Sequence, residues 1–217
     1  MPTLKGGYFI DGQRVPSVTT ICSRFKPSGG LVTWAWKLGM QGIDYKVVRD
    51  TAADAGTVAH EMVDCFIHSR EFDPSEYESE IVQMARPAYG AFLEWAEGCK
   101  FTMLETETPL LSRKYMFGGT RDAILINGKR SLGDWKTSNA IYVEYLLQLA
   151  AYGILDEENG GVIDGGFHLL KFSKQERPDD PVRFTHFYWS QLDLAKEAFL
   201  KERSLYDDLK RLEGMVK

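Results

Sequence analysis

The sequence predicts an α/β fold, with strands and helices forming a core behind a helical N-terminal extension. Three observations carry this expectation. Apolar residues up to about position 98 recur mostly with helical period. Runs rich in β-branched and aromatic residues, bounded by turn signals, follow between 101 and 136. Beyond them helix-like and strand-like segments alternate to the end, as in an α/β protein. The expected division is a helical N-terminal region over 1–98 with a small hairpin, and an α/β core over 99–217. The two would form one compact unit.

The elements follow in order. Tyr8 to Val15 reads as a hairpin turning at Asp11-Gly12. Pro16-Ser17 opens a short helix to about Phe25, with Ser17 as its N-cap. After the loop KPSGG, helical spacing runs from Leu31 to about Arg49, with Trp34, Leu38 and Val47 among the apolar positions. Further helices are expected from near Gly56 to Ser69 and from Pro74 to about Gly98. Strands are then expected at Phe101–Leu111, Tyr115–Ile126 and Lys129–Lys136, with Asn127-Gly128 as a turn signal. Ile141–Glu157 is helical. Val162–Phe172 and Val182–Trp189 read as strands joined by the charged loop SKQERPDD, and a helix from Gln191 to about Leu212 follows.

Bulk properties narrow the class. The 217 residues are 44% hydrophobic and 26% charged, ordinary for a globular protein with a sizeable core. No apolar run approaches the roughly 18 residues that a membrane span needs. The opening MPTLKGGYFIDG has neither an apolar signal core nor an Arg-rich transit pattern, so a cytoplasmic protein is expected. Cys22, Cys65 and Cys99 fit no zinc or iron–sulfur spacing and no disulfide framework; they read as small buried hydrophobes. The net charge of -5 does not advertise a nucleic-acid binder, but its distribution is uneven. Residues 1–49 hold seven Lys/Arg against two acids, while 50–107 hold three against thirteen. Residues 113–136, with six bases and two acids, are a second basic stretch. Either basic stretch could face a phosphate backbone.

Asp134-x-Lys136 is the sharpest local feature. Residues two apart on a strand share a face. A carboxylate beside an ammonium suits phosphodiester hydrolysis: the carboxylate holds a divalent cation, and the lysine positions water or stabilises developing charge. By itself such a pair is an ordinary ion pair. Asp122 offers a second carboxylate on the preceding strand. A strict two-residue turn at Asn127-Gly128 would put it on the opposite face from Asp134. A three-residue loop, or a bulge with left-handed Gly128, puts both on one face. His60, near a helix start in GTVAHEMVD, is a candidate nitrogen ligand, and Glu107 a tentative further one. Gln148 and Tyr152 share a helix face with Glu144.

Together these residues resemble a known pattern. The segment FGGTRDAILINGKRSLGDWKTSNAIYVEYLLQLAAYGIL resembles the core of the RecB-type branch of the PD-(D/E)XK nucleases. That branch carries G-T-x-D, then D-x-K-T, then Q-x-x-x-Y, preceded by a G-x-x-x-H helix. Gly119, Thr120 and Asp122 match the first element, and Asp134, Lys136 and Thr137 the second. Gln148 and Tyr152 match the third, and Gly56 with His60 the upstream one. The opening YFIDGQRVPSVTTI is similar to the start of a smaller set that includes phage exonucleases and the mitochondrial genome maintenance exonuclease.

The resemblance implies a restriction-endonuclease-like core with a mixed central sheet flanked by helices. It implies a metal-dependent nuclease, most readily a single-stranded DNA exonuclease of replication, recombination or repair, bacterial or phage-encoded. Asp122, Asp134 and Lys136 would be catalytic. His60, Asp122, Asp134, the Trp135 carbonyl and tentatively Glu107 would bind one or two Mg2+ or Mn2+ ions. Thr120, Thr137, Gln148 and Tyr152 would support the site or substrate. By analogy, Ser17, Arg24, Lys26 and Lys37 would contact phosphates. No iron–sulfur cluster is implied, because the four cysteines of some members are missing. Two rivals stay open: an endonuclease of the same superfamily acting on duplex or branched DNA, and a non-catalytic nucleic-acid-binding protein. The acidic stretch 70–107 has no role in any of these readings.

Overall fold

The computed structural model describes residues 6–138, 140–173 and 183–216. The charged loop expected at 173–180 lies outside these residues except for Ser173, as does Val182. Strands β1 (Tyr8–Ile10) and β2 (Gln13–Val15) form the expected hairpin. Asp11 and Gly12 are both left-handed, φ 49° and 79°, which matches the twist of a two-residue turn. Helix α1 (Val18–Phe25) begins where the Ser17 hydroxyl accepts the Thr20 amide N–H at 3.0 Å.

The single helix expected over Leu31–Arg49 is instead broken. Helix α2 (Gly29–Met40) ends before Gly42, whose φ of 73° a helix cannot accommodate. Asp44 then caps α3 (Tyr45–Ile67) by accepting the Lys46 amide N–H. The helix expected from Gly56 is simply the second half of α3. A 3-10 turn, Pro74–Glu76, precedes α4 (Ser79–Gly98).

Two expected strands also divide, at the same level. Phe101–Leu111 becomes β3 (Thr102–Leu104) and β4 (Thr108–Ser112), because Glu105 and Glu107 adopt left-handed φ of 48° and 47°. Tyr115–Ile126 becomes β5 (Phe117–Arg121) and β6 (Ala123–Ile126), with Asp122 at the break. Strands β4 and β5 pair with each other in a ladder of their own, while β3 pairs with β6. At the bend the Glu107 amide N–H donates to the Asp122 carbonyl at 3.1 Å. Both acids are therefore placed by one departure from regular pairing.

Strand β7 (Arg130–Lys136) follows with Ile126 opposite Arg130 and Ala123 opposite Gly133. The loop is thus Asn127, Gly128 and Lys129, with Gly128 left-handed at φ 71°. This is the irregularity that a shared carboxylate face requires. Continuing the register by one residue brings Asp122 level with Asp134. Helix α5 (Val143–Glu158) leads to β8 (Phe167–Phe172), which runs parallel to β7; β9 (Phe184–Trp189) closes the edge antiparallel, before α6 (Asp193–Met215). The five-stranded sheet has the order β3-β6-β7-β8-β9 and is mixed.

Side-chain alternation assigns its two faces. Leu132 and Leu169 pack with α1, α5 and α6 around Leu149 and Phe199. Trp135, Leu125 and Phe172 pack on the other face with α3 and α4, where Phe92 and Trp95 meet them edge-on or tilted. Each such fully buried side chain contributes roughly 1.5–3 kcal/mol. Gly119 lets α5 close onto β5: a Cβ there would lie 2.9 Å from both the Tyr152 ring and Val18. No described helix is long and apolar enough to cross a membrane.

Candidate active site

The site grows from the bend. Asp134 and Lys136 project from one face of β7, and the Lys136 ammonium lies 2.6 Å from Asp134 Oδ2. Asp122 Oδ2 accepts the Trp135 amide N–H at 2.7 Å. The side chain at the strand break thus holds the backbone between the other two. All three side chains are buried, Asp134 completely.

Helix α3 brings His60 over this floor. Its Nδ1 is 3.7 Å from Glu107 Oε1 and 3.9 Å from Asp122 Oδ2, too far for hydrogen bonds. Yet the ligand atoms of His60, Glu107 and Asp122 all lie within 4.8 Å of one another. His60 Nδ1, Glu107 Oε2, Asp122 Oδ1 and Asp134 Oδ1 are buried with no hydrogen-bond partner among the described residues. Buried polar atoms are normally paired, so a convergent set without partners needs an explanation. A divalent cation fits it: hard oxygen donors with one imidazole nitrogen suit Mg2+ or Mn2+. Glu107 is also one of the described non-glycine residues with left-handed backbone, a conformation that concentrates at functional sites.

The electrostatics agree. Burial pushes the Asp134 carboxyl up to about 7, outweighing the Lys136 ammonium beside it, and Asp122 adds to the rise. Burial also raises Asp122, against the pull of His60 and Lys136. Burial alone would lower Lys136, but Asp134 and Asp122 together hold its pKa above the usual lysine value. The Tyr152 phenol is raised far above its ordinary value, first by burial and then by the two aspartates.

An open cleft of about 390 Å³ leads to these groups, lined among others by Gly56, His60, Lys136, Thr137 and Tyr145. Thr120 is tied away from it, its hydroxyl 2.8 Å from the Tyr8 hydroxyl. Tyr152 is fully buried against Gly119, and Gln148 is half-buried one turn earlier on α5. The residues expected to contact phosphates are spread out. Ser17 caps α1, Arg24 pairs with Glu213, and Lys37 stands exposed in the last turn of α2. Lys26 pairs with Glu144 at 2.5 Å. Sequence reasoning passed over Tyr145, whose ring lies under Lys136 with the ammonium 5.1 Å from its centroid. Its spacing of three from Gln148 and seven from Tyr152 was the available signal. Of the cysteines, Cys22 and Cys65 are buried and Cys99 is half-buried.

No protein-family model matches the sequence, and no curated protein matches it. Among solved structures the chain is similar to an alkaline exonuclease (LHK-Exo) from Laribacter hongkongensis. That pair is 13% identical with a TM-score of 0.38, over 76% of this chain and 92% of that one. The same exonuclease in complex with dAMP gives 13% and 0.38, over 77% and 92%. SSO0001 gives 19% and 0.34, over 71% and 74%. Likenesses this loose identify nothing about the chain, and its chemistry has to be argued from the site.

Proposed function

We propose that this chain is a metal-dependent deoxyribonuclease of the PD-(D/E)XK type that removes nucleotides from the ends of single-stranded DNA. One observation carries the reading. Two buried carboxylates, Asp122 and Asp134, share a face with Lys136 while unpartnered atoms of His60 and Glu107 converge on Asp122. Without a cation, folding would leave this cluster short of hydrogen bonds and of positive charge. The choice of DNA, of single strands and of ends rests on the order of the four sequence motifs. So does a setting in replication or repair in the cytoplasm of a bacterium or its phage.

In this mechanism His60, Asp122, Asp134, the Trp135 carbonyl and Glu107 hold one or two Mg2+ or Mn2+ ions. A cation there supplies Lewis acidity toward a phosphoryl oxygen and toward the attacking water. Lys136 lies beside Asp134 where it borders the cleft. It orients that water and stabilises the negative charge that develops on phosphorus-bound oxygen. Asp122 fixes its geometry through the Trp135 amide N–H. Thr137 borders the cleft, and Gln148 is half-buried three residues beyond Tyr145 on α5.

The test is direct. Purified protein is incubated with linear single strands labelled at either end, circular single strands and matched duplex, in Mg2+, Mn2+ or EDTA. Metal-dependent loss of linear strands with circles spared is the expected result. Cut circles would replace the exonuclease by an endonuclease, and no cutting in any metal would sink the nuclease reading.

A further inference from the structure

The aromatic contact under Lys136 continues outward. Tyr145, one face of which receives the Lys136 ammonium, meets Tyr142 edge-to-face with ring centroids 5.5 Å apart. Tyr142 in turn carries the Lys26 ammonium 4.8 Å from its ring centroid. The series Lys136, Tyr145, Tyr142, Lys26 therefore runs from the buried floor to the surface. Along it exposure increases: Lys136 is buried, Tyr145 is half-buried, and Tyr142 is 41% exposed. Tyr142 stands just ahead of α5 as its N-cap residue, while Tyr145 packs at the edge of the core.

Lys26 has a carboxylate partner, and this has to be weighed. Glu144 Oε1 is 2.5 Å from Nζ, and this contact with its charge keeps the lysine pKa above the ordinary value although partial burial opposes it. An ammonium has three donors, and one carboxylate oxygen does not use them all. The Lys26 side chain remains 49% exposed, so its other donors are open to a second anion. Glu144 then acts as a brace that holds the ammonium over the Tyr142 ring.

A partly exposed tyrosine ring beside a held cation supplies what a single-stranded nucleotide requires: an aromatic ring for the base and a positive charge for the phosphate. We infer that Tyr142 and Lys26 form a subsite for the nucleotide next to the one being cut. Its base stacks on Tyr142 and its phosphate is bound by Lys26, while Tyr145 is a positioning residue that links the subsite to Lys136. This deepens the single-strand reading above and rests on it. It also favours single strands, because bases inside a duplex are already stacked on both faces and offer none to a side-chain ring.

Two measurements test the inference, the first of them independent of catalysis. Binding of a fluorescein-labelled oligothymidylate is followed by anisotropy in EDTA, and cleavage kinetics are followed in Mg2+ or Mn2+. Tyr142→Ala is expected to weaken binding and raise KM roughly tenfold, with kcat nearly kept. Tyr142→Phe should restore both, because stacking needs the ring and not the hydroxyl. Lys26→Gln should weaken binding and lower the slope of log Kd against log salt by about one. The exposure of both residues makes folded variants the expectation, and circular dichroism checks it. Unchanged binding and KM in Tyr142→Ala would overturn the subsite even if the wild type cuts DNA. Failure of the wild type to bind the oligomer at all would overturn it too. A wild type that binds but cuts nothing would sink the nuclease reading while leaving the subsite standing.

Discussion

Two regions of this molecule break the usual rules of folding in opposite ways. Under His60, charge is buried: Asp122 and Asp134 are almost fully enclosed beside Lys136, with acceptor atoms unpaired. In α2, apolar surface is left outside. No residue of that helix is buried, and Trp36, Val32 and Met40 are each more than half exposed. Trp34 touches the Tyr45 ring of α3 edge-on, 6.2 Å between centroids. The first region gives up hydration of its carboxylates, and the second withholds apolar area from the core. A chain optimised for stability alone would do neither. The contrast teaches that function is to be sought where local energetics are unfavourable, and that the two kinds of unfavourable region answer to different perturbations.

The sharpest way to break this comparison is to disarm the buried region. Asp134→Ala and Lys136→Ala should each reduce cleavage by about 10³-fold or more while leaving the circular dichroism spectrum unchanged. Wild-type rates in both purified variants would mean that the buried charges are structural after all. A smaller effect comes from the cation itself. Because the Asp134 carboxyl is raised to about 7, it favours the metal-free fold when protonated. That contribution is fully present below the ordinary carboxylate pKa and is lost as pH rises through about 7. Mg2+ or Mn2+ must displace this proton below pH 7 and need not above it. The rise in Tm on adding metal, read by calorimetry, should therefore be greater at pH 8 than at pH 6. A larger rise at pH 6 would contradict the assignment of Asp134 as a ligand. The smallest effect belongs to α2. Trp36→Ser should change the unfolding free energy by no more than about 0.5 kcal/mol, measured with urea. A loss of several kcal/mol would show that the helix is packed and the contrast false.

Much of the site was legible because it follows from short periodicities. Two residues apart on a strand is enough to put Asp134 and Lys136 on one face. Loop parity between Ile126 and Arg130 is enough to bring Asp122 level with Asp134, and the three-residue loop with left-handed Gly128 is present. The alternation of strands and helices follows from element order, while the mixed sheet was expected from the family resemblance and is present. What stayed illegible is backbone behaviour that composition does not announce. Glu105 and Glu107 give no sign in the sequence of adopting a left-handed conformation, so one strand was expected where the chain makes two. Asp122 likewise reads as mid-strand, although the chain changes ladders there. The break between α2 and α3 was more accessible: Gly42 followed by Asp44 is a stop and a cap. Continuous apolar spacing through Val47 concealed it. The Lys26–Tyr142 contact joins residues too distant in sequence for any spacing rule.

Glu107 holds one more consequence. It combines a carboxylate aimed at His60 with a backbone conformation that only glycine adopts freely. A glycine at this position would relieve the conformation and remove the carboxylate in a single step. A population of variants sorted for solubility or heat resistance would therefore be drawn toward losing this group. Under the proposed role of Glu107, directed evolution toward stability would need a screen for turnover from the first round, since stability alone would favour loss of this carboxylate.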